Sequence, residues 1–336
     1  MEFAEIPTAK AEGTVLAHSV GHAKGVFKKG RMLSAFDIEI LAGSGISRIF
    51  AARLGVDDVA EDEAAQAIAA RICGANVSVR EPFTGRVNLY ADQRGLAVLD
   101  MVHINALNRV HESVTLATAG SYSLVAPGQM IATVKIIPFA VPRKILDKVL
   151  AGIGDGPLIR VADFRATWVG LVITKLSRAK VSLLEKSEAS MRGRVTGLGS
   201  EISEVIVCDH TIEAVRDAVA KLHEATCNPI LMFGASAIVD RGDVIPAGLV
   251  SAGGEVIHLG MPVDPGNLLF LGNLGERPVI GLPGCARSPA LNGADWVLER
   301  LACGIQLGDD DIAEMGVGGL LKEIPIRGRL RETGPE

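Results

Sequence analysis

Between residues 168 and 301 apolar runs of strand length alternate with segments of helical pattern, and no other feature constrains the fold as tightly. Residues 168–174, 201–208 and 229–233 read as strands. Residues 182–198, 211–225 and 244–252 read as helices, the second with Ile212, Val215, Val219 and Leu222 on one face. Short strands at 255–259, 268–271 and 279–282 and a closing helix at 290–301 complete the pattern. Such alternation predicts a mainly parallel sheet covered by helices on both faces. The run 229–233 is apolar at every position, as a central strand buried on both sides requires. It ends in Gly234, Ala235 and Ser236, where backbone can approach a ligand, and then in Asp240, Arg241 and Asp243 before the next helix. Strand, small-residue turn and helix start together suit an anion or a metal-bound anion. A tight turn with solvated charges accounts for that loop equally well. Ligands of parallel sheets gather at the carboxyl ends of the strands. The loops expected there are 174–177, 208–211, 234–243, 262–267 and 283–288.

A chain of 336 residues suits two or three domains. Hydrophobic residues make up 48% and aromatics only 4%, with 38 glycines, so the cores are expected to be aliphatic and joined by many tight turns. A net charge of -5 without a basic cluster argues against nucleic acid as a partner. No apolar run approaches the roughly 20 residues of a membrane span. The first residues carry acids and no apolar signal segment. Five cysteines (Cys73, Cys208, Cys227, Cys285 and Cys303) without a CxxC pair fit reduced thiols in a cytoplasmic protein.

The first half reads as two smaller α+β units, 1–75 and 76–151. In the first, a strand at 12–20 and a turn at Lys28, Lys29 and Gly30 precede a helix capped by Ser34; a strand at 46–54 and an alanine-rich helix at 57–72 follow. His18 and His22 lie on a strand and across Gly21, a poor arrangement for a shared metal. In the second, strands at 85–90 and 95–99 flank a turn at 91–94, with strands at 114–118 and 130–137 and helices at 101–110 and 143–150. His103, Asn105, Asn108 and His111 read as helix-surface polar residues. The glycine- and proline-rich stretch 152–157 marks the boundary to an α/β domain at 158–308, though the strand after it has the option of packing back. Residues 309–336 read as a polar tail, such as a piece of a longer protein would carry.

Four short motifs recur in an order that resembles the molybdopterin-binding domain of molybdenum-cofactor biosynthesis enzymes. They are VCDHTIEA at 207–214, FGASAIVDRGDVIP at 233–246, GMPVDPGN at 260–267 and GLPGCARS at 281–288. The resemblance covers about half the chain and implies a three-layer α/β/α domain. It extends in style to EGTVLA at 12–17 and KGRMLSAFDIEILAGSGI at 29–46, which are similar to flanking regions of molybdenum insertases. The chain as a whole most resembles molybdopterin-binding proteins fused to, or paired with, a nucleotidyltransferase, whose own glycine-rich loop has no counterpart here. The resemblance implies that molybdopterin or molybdenum cofactor is the ligand. Its contacts would be Gly234, Ala235, Ser236, Asp209, Pro265, Gly266, Asn267, Pro283, Gly284, Arg287 and Ser288. Any catalysis would fall to Asp243 and Asp240. Mg²⁺ would sit on Asp243, with Asp209 and Glu185 the other acids near the rim.

Three departures from the family pattern bear on mechanism. A pair of glycines has become Gly234-Ala235, which fits only if Ala235 avoids positive φ. The first loop, normally acidic, reads Thr174-Lys175-Leu176-Ser177. The first Pro-Gly turn has Asp264 and Asn267 where lysines are usual. Lys175, Arg241 and Arg287 would restore positive charge, Arg287 holding a phosphate through two parallel bonds. Cys285 reads as a packed thiol. The expected function is therefore binding of molybdopterin during cofactor biosynthesis or maturation and delivery to a nucleotidyltransferase; an enzyme, if it is one, would be a biosynthetic transferase. The alternatives are a Mg-dependent nucleotide pyrophosphatase and a non-catalytic assembly or chaperone protein. Association into a homo-oligomer is expected, with no membrane and no nucleic-acid partner.

Overall fold

The computed structural model describes residues 1–178 and 180–321. The chain divides into two compact units, the first ending at Asp163 and the second beginning at Phe164.

The first unit opens with β1 (Glu2–Pro7), β2 (Val15–Leu16), a hairpin of β3 (Val20–His22) and β4 (Gly25–Phe27), helix α1 (Ala35–Gly43) and β5 (Arg48–Arg53). Strands β1, β5 and β2 form one antiparallel sheet. The strand expected at 12–20 is thus two short strands, because Leu16 bonds to Gly30 and Arg31 while Val20 pairs with Phe27. Ser34 caps α1 as expected: its hydroxyl accepts the Asp37 N–H, and the Asp37 carboxylate accepts the Ser34 N–H. The Arg31 guanidinium bonded to Asp37 holds that carboxyl below the usual range.

The remainder of this unit comprises β6 (Asp58–Ala60), α2 (Glu61–Ile72), β7 (Val77–Val79), β8 (Arg86–Ala91), β9 (Gly95–Leu99), α3 (Met101–Asn108), β10 (Val114–Thr118), β11 (Leu124–Val125), β12 (Met130–Ile136), β13 (Ala140–Pro142), α4 (Arg143–Gly152) and β14 (Ile159–Asp163). Helix α2 starts at Glu61, not Asp57, because Asp58–Ala60 pair with β13; sheet pairing overrides the helical preference of the acids. Strands β8 and β9 are not a hairpin. β8 joins the order β10-β12-β8-β7, whereas β9 lies between β11 and β14. The strand after the glycine-rich stretch therefore belongs to this unit, with Ile159 and Val161 buried beside α2 residues Ile68 and Ile72.

The second unit is built from β15 (Trp168–Lys175), α5 (Val181–Gly197), β16 (Glu201–Asp209), α6 (Ile212–Glu224), β17 (Ile230–Phe233), α7 (Val244–Ser251), β18 (Glu255–Leu259), β19 (Phe270–Leu274), β20 (Arg277–Leu282), α8 (Gly293–Ala302) and the short α9 (Asp309–Ala313). Its sheet has the order β16-β15-β17-β20-β19-β18; the first four strands are parallel and β19 runs against both neighbours. Alternate strand residues face two different cores, as the two-residue period requires. Leu171, Ile173, Leu231, Phe233 and Ile280 pack with Met191 and Val195 of α5 and with Val297 and Leu298 of α8. Val172, Ile230, Met232 and Val279 pack with Val215 and Leu222 of α6 and with Ile245 and Leu249 of α7. Part of the expected tail is structured: α9 buries Ile312, and Asp264 bonds along its backbone to Gly319 and Leu321. Residues 322–336 of that tail lie outside the described residues.

Candidate functional site at the carboxyl ends of the parallel strands

Because β15, β16, β17 and β20 run the same way, the segments that follow them leave at one end of the sheet. β19 reverses direction, so the segment from Gly260 to Leu269, between β18 and β19, reaches that end too. Asp209, the 234–243 loop, Pro283 to Ser288, and Pro265 to Asn267 consequently share one rim, ordered by the sheet. Topology thus brings together residues far apart in sequence.

Thr174, 2% exposed at the end of β15, joins three of the loops. Its Oγ1 accepts the Ala235 N–H at 2.8 Å, lies 3.2 Å from the Phe233 carbonyl and 2.8 Å from His210 Nδ1. A hydroxyl has one proton. Donated to Phe233, it leaves Oγ1 to accept from His210 Nδ1–H, and Nε2 becomes an acceptor. Ser236 Oγ stands 3.2 Å from that Nε2 and donates to it. The tautomer is assigned from this bond count. His210 was not singled out from the sequence; its place next to Asp209 at a strand exit was the available signal.

Burial pushes the His210 pKa below its ordinary value, and the nearby Asp243 charge offsets only part of that. A histidine with a depressed folded pKa is neutral in both states above its unfolded value. Below about pH 6.5 the unfolded chain takes up a proton that the folded chain resists, so stability falls with acidification. Urea midpoints measured between about pH 7.5 and 5.5 are expected to decline more for the native chain than for His210→Gln. Parallel curves for the two proteins would remove His210 from the pH response.

The turn after β17 fits its residues. Gly234 is required, since a Cβ there would lie 2.7 Å from the Ser236 carbonyl oxygen. Ala235 is not among the positive-φ residues, so alanine sits after Gly234 without backbone strain. The N–H groups of Ser236 and Ala237 donate to no acceptor among the described residues, which leaves them available to an anion.

The acids of this loop are occupied within it. Asp243 Oδ2 accepts the Val239 N–H at 2.6 Å and the Asp240 N–H at 3.0 Å, and Asp240 Oδ1 accepts the Gly242 N–H at 2.7 Å. Among the described residues no group of three or more His, Cys, Asp or Glu side chains could hold a metal ion. Asp209 and Glu185 are both exposed and form no such group with Asp243 among the described residues. Asp243 instead acts as the loop's clasp. Asp243→Ala is expected to cost about 1–2 kcal/mol, the range for losing a side-chain cap, and chemical denaturation will show whether it does.

Arg287 is also used differently from expectation. Its guanidinium lies 4.9 Å above the Phe233 ring, Nη2 donates to the Gly234 carbonyl at 2.7 Å, and Nε to Ser187 Oγ at 3.1 Å. The edge expected to grip a phosphate therefore braces the Gly234 turn; a ligand would meet the Nη1 end. Arg241 donates from Nη1 to the Val256 carbonyl at 2.6 Å, which ties its charge to β18. Lys175 is exposed at the end of β15, on the rim.

The Pro283–Ser288 turn is held from α5 by Arg194, which the sequence reading missed. Its side chain is 8% exposed and bonds to Asp295 at 2.6 Å, to Ser190 Oγ at 2.6 Å, and to the carbonyls of Ala286, Ser288 and Ala290. The four-residue spacing of Ser190 and Arg194 on one helix face was its only signal. Cys285 in the same turn is half-buried, and burial pushes its thiol pKa up, so it is no ready thiolate. In the neighbouring loop Gly266 has φ +142°, and a Cβ there would lie 2.6 Å from the Gly293 N atom at the start of α8. Gly293 N–H donates to the Pro265 carbonyl at 2.8 Å, and Met261 N–H to that of Asn267 at 2.9 Å.

Two cavities of about 550 and 530 Å³ lie away from this rim. The first is in the first unit; the second is at the amino ends of the strands, bounded by Thr167, Pro229 and Pro278.

Comparison with known proteins adds little detail. Residues 5–53 match the model of a domain of unknown function, DUF8806. No curated protein matches the chain. Among solved structures, the molybdopterin biosynthesis MoeA protein of Pyrococcus horikosii is similar at 14% identity and a TM-score of 0.32, over 90% of this chain and 76% of that one. Among the described residues no helix is long and apolar enough to cross a membrane.

Proposed function

We propose that the second unit is a three-layer α/β/α molybdopterin-binding domain whose rim takes up molybdopterin or molybdenum cofactor during cofactor biosynthesis or maturation. The observation that carries this reading is the Thr174–His210–Ser236 network, which joins three of the loops at the Gly234 turn while Arg287 braces that turn from a fourth. The ligand's phosphate would meet the Ser236 and Ala237 N–H groups, with Lys175 supplying charge. Gly266, Gly284, Asn267 and Ser288 would border the pterin. The bound ligand would be handed on to a nucleotidyltransferase. Asp240 and Asp243, tied to their own loop, favour binding over Mg-dependent cleavage. Titrating the purified chain with molybdopterin and following pterin fluorescence should show saturable binding. Ser236→Asp, which places like charge beside the phosphate, should weaken it roughly tenfold or more. Absence of saturable binding by the native chain would end the proposal.

A further inference from the structure

The first unit contains the cavity of about 550 Å³, within the range of small-molecule sites. Its walls are of two kinds. Phe3, Ala17, Ile137 and Phe139 are apolar, and Phe3, 52% exposed, has its ring centre 6.4 Å from that of Phe50. Lys29, Lys135, Glu61 and the Met1 ammonium bring charge, the last paired with Asp58 at 2.6 Å.

The charged wall is built rather than incidental. Glu61 begins α2, with its N–H on the Phe139 carbonyl, and its side chain is only 18% exposed. Lys135, 27% exposed, lies 3.6 Å from that carboxylate and also donates to the Thr84 carbonyl. Thr84 has φ +49°, a left-handed conformation that a β-branched residue seldom adopts. The strain is held by its neighbours: Gly85 N–H donates to Asp62 Oδ1 at 2.5 Å, and a Cβ on Gly85 would collide with Glu61. Strain of this sort collects where a side chain is being held for a purpose. Burial raises the Glu61 pKa, the neighbouring Asp62 charge adds to the rise, and Lys135 and Lys29 draw it back in part.

Lys29 differs from Lys135. Its ammonium sits 5.5 Å from the centre of the Phe139 ring and makes no hydrogen bond or ion pair among the described residues. With the Met1 ammonium taken by Asp58, Lys29 and Lys135 face the Glu61 carboxylate, and Lys29 has no ion pair of its own among the described residues. The charge surplus favours an anion, and the ring beneath Lys29 favours a flat apolar body stacked beside it.

We propose that this cavity binds a small organic anion with an aromatic body and one phosphate or carboxylate head, the head on Lys29 and Lys135 and the ring between Phe3 and Phe139. The proposal is independent of the rim site in the second unit. Amide NMR of the full chain, titrated with phenyl phosphate and separately with benzoate, tests it. Saturable shifts are expected at Lys29, Gly30, Thr84 and Phe139 with at least one of the two, and the tighter one identifies the head group. Lys29→Ala should weaken that binding roughly tenfold or more with unchanged melting, and Lys29→Arg should retain it. Three results overturn the idea: benzylamine shifting the same amides as strongly, inorganic phosphate binding as tightly as phenyl phosphate, or Lys29→Ala binding as the native chain does.

Discussion

Replacing Arg194 with methionine is expected to destabilise the second unit by roughly 3–5 kcal/mol, the cost of breaking a buried ion pair from one side. Methionine fills similar volume, so the loss would not come from a cavity. It would come from Asp295, 16% exposed, and from the Ser288 carbonyl, which lose Arg194 together, while the carbonyls of Ala286 and Ala290 keep bonds from Ser190 Oγ and Asn292 Nδ2. Asp295 also accepts the Asn292 N–H and so closes the capping box of α8, which links the defect to a second helix. Arg194→Lys should recover little, because one ammonium cannot reproduce a planar fork directed at five acceptors. Equilibrium urea unfolding gives the magnitude. A change under 1 kcal/mol would show that the turn is held by other means.

Phe233→Ala should have an effect of similar size, about 3–5 kcal/mol, as expected for truncating an enclosed aromatic. Phe233 is fully buried in the centre of the sheet and contributes to the α5 and α8 core. It differs from other core residues in also supporting the Arg287 guanidinium. Losing the ring should therefore loosen the brace on the Gly234 carbonyl and weaken ligand binding beyond what unfolding explains. Phe233→Leu separates the two effects. It restores most of the apolar volume but no π face, so stability should largely recover while binding does not. Equal recovery of both would make the ring a packing element alone.

The second unit was legible because its signals are local and repeated. Runs such as 229–233 could only be buried strands, and strand direction placed their exits on one rim. The less legible features depend on partners distant in sequence. Nothing in Asp57–Ala60 announces that these residues pair with Ala140–Pro142 rather than extend the helix. Strands β8 and β9 look like a hairpin because four turn-like residues separate them; only the competing partners β12 and β14 show otherwise. The site residues follow the same rule. Glycines and serines of the rim are recognisable by their motifs, but what a long side chain does is not. Arg287 and Arg241 read as ligand cations and are bound to backbone carbonyls, and Asp243 reads as a metal ligand and closes its own loop.

The pairing of β14 with β9 decides where this polypeptide can be divided for expression in pieces. A cut at the glycine-rich stretch before Leu158 would carry Ile159 and Val161, both nearly inaccessible to water, away from the fold that encloses them. The upstream piece would present an open strand edge at β9 and invite aggregation. A cut between Asp163 and Phe164 leaves that sheet whole on one side and begins the other fragment just ahead of its own first strand.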